Sequence, residues 1–176
     1  MTSTATARKP ARKSKGESSF AAYSPGGMTP EIRFTVQLVL VARRWRSLLD
    51  EHLRRIDQSS ARMEAMSAIL ASPPLSAQVD IAKRLRIEGP TLTRMLDTLE
   101  KDGLVERLPD PTDRRTNKLR LTPAGEKALA DILEVVEALR ARLVEGLPPE
   151  MIEQTNEFLG GLLAKLDTGL PARDGA

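Results

Sequence analysis

Arg114, Arg115, Lys118 and Arg120 lie between positions 114 and 120 with no acid among them, in the stretch PDPTDRRTNKLRLT that runs from Pro109 to Thr122. Cations grouped in this way suit a polyanion. Arginine has the length and charge to enter a narrow minor groove, where the negative potential is enhanced. Asp113 is placed to pair with one arginine and hold the loop in shape. Upstream, Thr91, Thr93, Arg94 and Asp97 fall on the outward side of a helical pattern whose inward positions are Leu92, Met95 and Leu96. Arg94 suits guanine O6/N7 or a phosphate, and the two threonines suit a phosphate or a thymine methyl.

Catalytic chemistry has no comparable support. Glu88, Glu100, Glu106, Asp110 and Asp113 are carboxylates with no histidine or nucleophile near them, and His52 is the one histidine. There is no Gly-x-Ser-x-Gly turn and no phosphate-cradling glycine loop; Gly26-Gly27 and Gly160-Gly161 are isolated pairs. With no cysteine, a disulfide framework, a thiol nucleophile and a cysteine redox sensor are excluded, and a His/Cys metal site is not expected. We expect a protein that is not an enzyme and carries no cofactor or metal.

These cations must be positioned by helices. Thr29-Pro30 caps and opens a long helix to about residue 57, with Ile32, Val36, Val39, Leu40, Leu48, Leu49, Leu53 and Ile56 at helical spacing. A second spans about 60 to 72, with Met63, Met66, Ile69 and Leu70 inward, and stops at Ser72-Pro73-Pro74. Ser76 reads as the N-cap of a short helix over 77–85, with Val79, Ile81, Ala82 and Leu85 inward. After the tight connection Arg86-Ile87-Glu88-Gly89, a helix opens at Pro90 and ends at Gly103, a left-handed cap. Two short helices joined by a tight turn form a helix-turn-helix pattern.

The period then changes from 3.6 to 2. Val105 begins a strand, and Lys118-Leu119-Arg120-Leu121-Thr122 alternates basic with apolar, so Asp110 to Asp113 make the turn of a β-hairpin, or wing. Thr122-Pro123 repeats the cap-plus-proline start, with a long helix from Ala128 to Leu143. A last helix runs from after Pro149 to about Leu166. The fold class is mainly α with a small β-hairpin. Residues 1–28 read as a disordered basic tail and 168–176 as a frayed one.

Composition agrees with this outline. Aromatic residues make up 3% and apolar residues 40% of the 176, so the core is built from Leu, Ile, Val, Ala and Met. The net charge of +3 is concentrated at the N-terminus: five cations and one acid fall in the first twenty residues, leaving a slightly acidic body. Residues 123–176 hold five basic and ten acidic groups, whereas 78–122 hold ten basic and eight acidic. The C-terminal helices repel a polyanion and the wing attracts one. Neither a signal peptide nor a membrane span is visible, and a cytoplasmic location is expected.

The stretch IAKRLRIEGPTLTRMLDTLEKDGLVERLPDPTDRRTNKLRLTPAGEKAL resembles the MarR family of bacterial transcription regulators, and its recognition-helix wording looks most like the SlyA branch. The likeness spans about residues 30–167 and is most specific in L-D-x-L-E-x-x-G-L-V and in D-R-R followed by L-T-x-x-G. It implies a winged helix-turn-helix lobe over 58–122 and a homodimer joined through the helices at 29–57 and 123–167. Such a dimer would bind a pseudo-palindromic double-stranded operator, most often as a repressor. Carried over by position, Thr91, Thr93 and Arg94 match major-groove contacts, Ser76 and Gln78 backbone contacts, and Arg114 or Arg115 the minor-groove finger. Asp113 matches the brace, and Lys118 lies on the same cationic strand. The family is usually released from DNA by a small aromatic acid; the matching positions are Arg43, Trp45, Arg46, Ala61, Met63 and Ser67. Small and thioether side chains on the second helix would admit a larger ligand, such as an aromatic acyl thioester. The alternative is a winged-helix module for protein assembly that reads no DNA sequence.

Overall fold

The computed structural model describes residues 26–110 and 116–170. The expected basic tail lies almost wholly outside the described residues, as do the tip of the wing and the last six residues. The elements in chain order are α1 (Pro30–Leu53), a 3-10 turn (Arg54–Ile56), α2 (Ser60–Leu70), α3 (Gln78–Leu85), α4 (Gly89–Lys101), β1 (Val105–Pro109), β2 (Asn117–Leu121), α5 (Pro123–Leu143) and α6 (Pro149–Asp167). This is a mainly helical chain with one antiparallel hairpin, as the periodicity predicts. No described helix is long and apolar enough to cross a membrane.

The chain divides into two units, residues 1–45 and 46–176. In the first, Thr29 caps α1 through its hydroxyl, which accepts from the Ile32 N–H at 3.4 Å. Phe34, Leu38, Val39, Leu40 and Val41 are exposed along this half of α1.

In the second unit the core gathers Leu53, Met66, Ile81, Leu92, Leu96, Leu99, Leu119, Leu129 and Ile132, all fully buried. Each contributes about 1.5–3 kcal/mol of transfer free energy against the chain entropy of folding. Most of these side chains come from α2, α3, α4, β2 and α5, so the helix-turn-helix and the wing share one core. Ser59 caps α2 by accepting from the Arg62 N–H at 3.3 Å. A second, remote cap comes from α1: Asp50 Oδ1 accepts from the N–H of the buried Ser60 at 2.7 Å. Burial acts to raise the Asp50 pKa, but the backbone and hydroxyl of Ser60, with Arg46 and Arg54 nearby, outweigh it and hold the carboxyl below its ordinary value.

The hairpin pairs Val105 with Leu121 and Pro109 with Asn117 at its ends. The loop before α3 adds to its outer edge, where the Leu119 N–H donates to the Ser76 carbonyl at 3.0 Å and Ala77 bridges to Lys118. This pairing covers an edge of the hairpin and ties the wing to the start of α3. The exit from the wing is equally constrained. Thr122 donates its N–H to the Leu104 carbonyl at 3.1 Å and its hydroxyl to the Gly103 carbonyl at 2.6 Å, while that hydroxyl accepts from the Gly125 N–H at 3.0 Å. A Cβ on Gly125 would stand 1.9 Å from the Leu104 oxygen. The L-T-x-x-G phrase is therefore a packing requirement.

Three expectations are corrected. Ser76 does not cap α3: the cap residue is Ala77, without a side-chain bond, because the preceding turn delivers the Ser76 hydroxyl to the Pro73 carbonyl at 2.7 Å. Val79 is exposed, since it sits two residues, about 200° of helical rotation, from the buried Ile81. Leu70 is also exposed, because α2 ends with it beside an open cleft of about 400 Å³ that it lines with Leu75 and Leu121. The cap-plus-proline start expected at Thr122-Pro123 is borne out, since α5 begins at Pro123 with Thr122 as its cap.

Two of these junctions can be tested by single substitutions. Gly125→Ala forces backbone apart and is expected to cost about 3 kcal/mol, read as a fall in thermal midpoint; an unchanged midpoint would show that the junction relaxes freely. Asp50→Ala leaves a buried N–H unpaired and is expected to cost about 1–3 kcal/mol at neutral pH. Because the native pKa is depressed, the ionised cap's contribution is complete above the ordinary aspartate value of 3.8 and disappears as pH falls through the lower native value. Urea titrations at pH 7 and pH 3 should show the gap between wild type and variant narrowing at the lower pH.

Candidate nucleic-acid interface

Along α4, Leu92, Leu96 and Leu99 are buried and Met95 is half-buried, which leaves Thr91, Thr93 and Arg94 exposed on the opposite face. Thr91 and Arg94 are three residues apart, so they stand one above the other on that face. Arg94 has no ion pair among the described residues. The structure joins two of the sequence candidates directly: Gln78, at the start of α3, donates from Nε2 to the Thr93 hydroxyl at 2.8 Å, and that hydroxyl donates to the Gly89 carbonyl at 3.1 Å. The bond ties the first helix of the pair to the second and leaves the Gln78 amide oxygen for a ligand.

Between α3, the start of α4 and the first residue of β2 lies an open cleft of about 490 Å³. Gln78 and Thr93 line it together with Val79, Lys83, Arg86 and Asn117, and none of its lining residues is acidic. Sequence reasoning missed Val79, Lys83, Arg86 and Asn117. Exposed Val79 was hidden by its placement among inward positions, and Lys83 and Arg86 by their position at and near a turn expected only to connect helices.

The wing's charge is smaller than the sequence implies. Lys118 pairs with Asp110 at 3.1 Å, and Arg120 with Glu106 at 2.7 Å. Glu106 faces Arg120 directly in the register. Acids absent between positions 114 and 120 arrive from the opposite strand, where counting along the chain does not see them. The Asp110 side chain is only 13% exposed. Asp113, Arg114 and Arg115 lie outside the described residues.

A residue that sequence reasoning passed over orders this whole surface. Arg107, on β1, is 16% exposed and reaches α4 with both terminal nitrogens. Nη1 meets Asp97 at 2.7 Å and Glu100 at 2.8 Å, and Nη2 donates to the Thr93 carbonyl at 3.0 Å. Wing and recognition helix are thus fastened at a point one residue from Arg94. Asp97 is a brace here and not a groove-facing acid. The available signal was the acid pair Asp97 and Glu100, three apart on one helix face, followed by an arginine on the next element. A second tie, Arg62 to Asp102 at 2.6 Å, holds the end of α4 to α2.

The six proposed effector-pocket residues are not gathered into any of the cavities described above. Arg46 makes a bidentate pair with Glu64 of α2, at 2.8 and 3.1 Å. Ala61, Met63 and Ser67 are half-buried on the same helix; Arg43 is exposed and Trp45 half-buried in the other unit.

The winged helix-turn-helix has counterparts among known proteins. The model of the MarR family matches residues 59–116. The crystal structure of the transcriptional regulator PA3341 superposes with a TM-score of 0.69 at 32% identity, covering 77% of this chain and 98% of that one. The chain belongs to the MarR family. A mutant MarR from E. coli complexed with operator DNA is similar at 28% identity and a TM-score of 0.70, over 76% of this chain and 95% of that one. The S. aureus MepR–DNA complex is similar at 25% identity and a TM-score of 0.70, covering 74% and 96%. In this MarR-family chain the matched residues include Asp97, Glu100 and Arg107, so the clamp lies within them.

Arg107→Ala leaves Asp97 and Glu100 facing one another without their cation. The expected result is a loss of about 1–3 kcal/mol in stability. Faster amide exchange should appear in α4 and β1 and not in α2; uniform acceleration would make Arg107 an ordinary contributor to the core.

Proposed function

We propose that this protein is a DNA-binding transcription regulator that grips a pseudo-palindromic operator as a homodimer, one winged helix-turn-helix lobe per half-site. The observation that carries this is the face formed by Thr91, Thr93, Arg94 and Gln78, beside a cleft lined by Lys83 and Arg86 and by no acid. The operator complex of E. coli MarR and the DNA complex of S. aureus MepR lend it support from related folds. Regulation by DNA binding, and not catalysis, is the activity that MarR-family membership implies.

In this reading α4 enters the major groove, with Arg94 taking a guanine edge or a phosphate and the threonines and Gln78 fixing the register. Arg114 or Arg115 supplies the minor-groove contact, braced by Asp113. Lys118, paired with Asp110, acts as a support for the strand. Ser76, whose hydroxyl closes the turn before α3, supports the DNA-backbone contact of Gln78 two residues on. Repression is the sign we assign, and the SlyA-like branch the subgroup, on the wording of residues 91–105.

Dimerisation is supported by exposed apolar surface. No residue of α6 is buried, and Met151, Phe158, Leu163 and Leu166 are exposed along it, as are Phe34 and Leu38 to Val41 along α1. Monomeric proteins rarely leave such faces open to water. A small aromatic acid is the effector class we assign. Its support is the combination of Lys83 and Arg86 with Val79, Ala82 and Ile87 in one cleft, which suits a carboxylate on an apolar body and would set effector against DNA.

An anisotropy titration against DNA from the gene's own upstream region, compared with shuffled DNA, tests the reading. Preference for the former is expected, with Arg94→Ala costing about 1–3 kcal/mol of discrimination. Equal affinities would favour the protein-assembly module. Phe158→Asp is expected to convert the two-chain species seen by light scattering to one chain and to abolish tight operator binding; a variant that stays dimeric would remove α6 from the interface.

A further inference from the structure

Arg86 occupies the turn between α3 and α4 with a left-handed backbone, φ 53°. Its N–H closes α3 on the Ala82 and Lys83 carbonyls, a job for which glycine or asparagine is the cheaper residue. An arginine kept at such a position directs attention to its side chain. That side chain lines the acid-free cleft beside Gln78, Lys83 and Thr93 and is 56% exposed. It is also engaged: Nε donates to Asp167 Oδ1 at 2.9 Å and Nη2 to Asp167 Oδ2 at 2.6 Å.

Asp167 is the last residue of α6, 81 positions along the chain. Among the described residues this is the one salt bridge between α6 and the helix-turn-helix. The arrangement is a parallel fork in which two guanidinium nitrogens meet two carboxylate oxygens, the geometry that a guanidinium also presents to a phosphodiester. Hydrogen bonding from Arg86 holds the Asp167 carboxyl below its ordinary value, so the group is fully ionised wherever DNA would bind. Both side chains are about half exposed, so the pair is open to solvent and weakened by salt, and a phosphate can displace it.

We propose that Arg86 is a DNA-phosphate contact and that Asp167 is an internal substitute for that phosphate, occupying the arginine until DNA takes it. The proposal rests on the DNA-binding reading above. It makes the end of α6 a part of the DNA-binding equilibrium: every lobe that docks must exchange a carboxylate for a phosphate, and affinity is set below what the cleft's cations alone would give. The acidic balance of residues 123–176 meets the reading surface through this pair.

The test is a two-by-two comparison of the full-length wild type, Asp167→Asn, Arg86→Gln and the double variant, by anisotropy on the preferred upstream DNA at several salt concentrations. Thermal midpoints run in parallel confirm folding. Asp167→Asn should bind about threefold more tightly per half-site, the equilibrium factor of an exposed ion pair. Arg86→Gln should bind more weakly, with a log–log salt slope shallower by about 0.9 for each phosphate no longer neutralised. The double variant should match Arg86→Gln, because the aspartate acts only through the arginine. Unchanged or weaker binding by Asp167→Asn would overturn the proposal and make the pair a brace. A gain that persists in the Arg86→Gln background would also overturn it, since removal of any negative charge would then explain the gain. Failure of the wild type to prefer its upstream DNA sinks the DNA reading itself and is seen before any variant is compared.

Discussion

The fastening of the wing to the recognition helix by Arg107 is the interaction on which the DNA-reading surface depends. One half-buried guanidinium satisfies two carboxylates and a backbone carbonyl of α4 from a strand whose partner leads directly to the wing tip. Remove it, and α4 keeps its buried leucines but gives up the tie that sets its rotation relative to the hairpin. In the DNA-binding reading proposed above, major-groove and minor-groove contacts need a fixed separation, and this tie sets it.

The junctions around it share that logic. Ser76 lends its carbonyl to β2, Thr122 returns the chain to the Leu104 carbonyl, and Gly125 lets α5 pass within van der Waals reach of the same carbonyl. These are backbone interactions at the ends of elements, and each removes one freedom of the wing. Rigidity of this kind lowers the ordering cost of association, so that charge and base contacts show in affinity. Against it, apolar side chains along α1 and α6 are exposed, the surface that the proposed dimer would cover.

The elements and most of the core were legible in the sequence because both depend on periodicity. Leu92, Leu96 and Leu99 repeat at helical spacing, and Leu119 alternates with cations at strand spacing, so each lies where its neighbours in sequence place it. Thr91, Thr93 and Arg94 were readable on the same ground. What escaped was set across the chain. Asp110 and Glu106 neutralise Lys118 and Arg120 through strand register, Arg107 finds acids on the preceding helix, and Asp167 finds Arg86 from the last one. Ser76 was misread because a serine before a helix competes between capping it and closing the preceding turn, and the proline pair decided for the turn. Charge counted along the sequence overstated the wing, since pairing is decided by geometry.

The central claim is that two copies of this braced surface read successive major grooves of one duplex. Dimethyl sulfate protection on the preferred upstream fragment tests it most directly, because the reagent reports guanine N7 in the major groove. The account predicts two protected patches about one helical turn apart, related by the operator's symmetry. A fragment bound with no guanine N7 protected, or with a single unpaired patch, would contradict it.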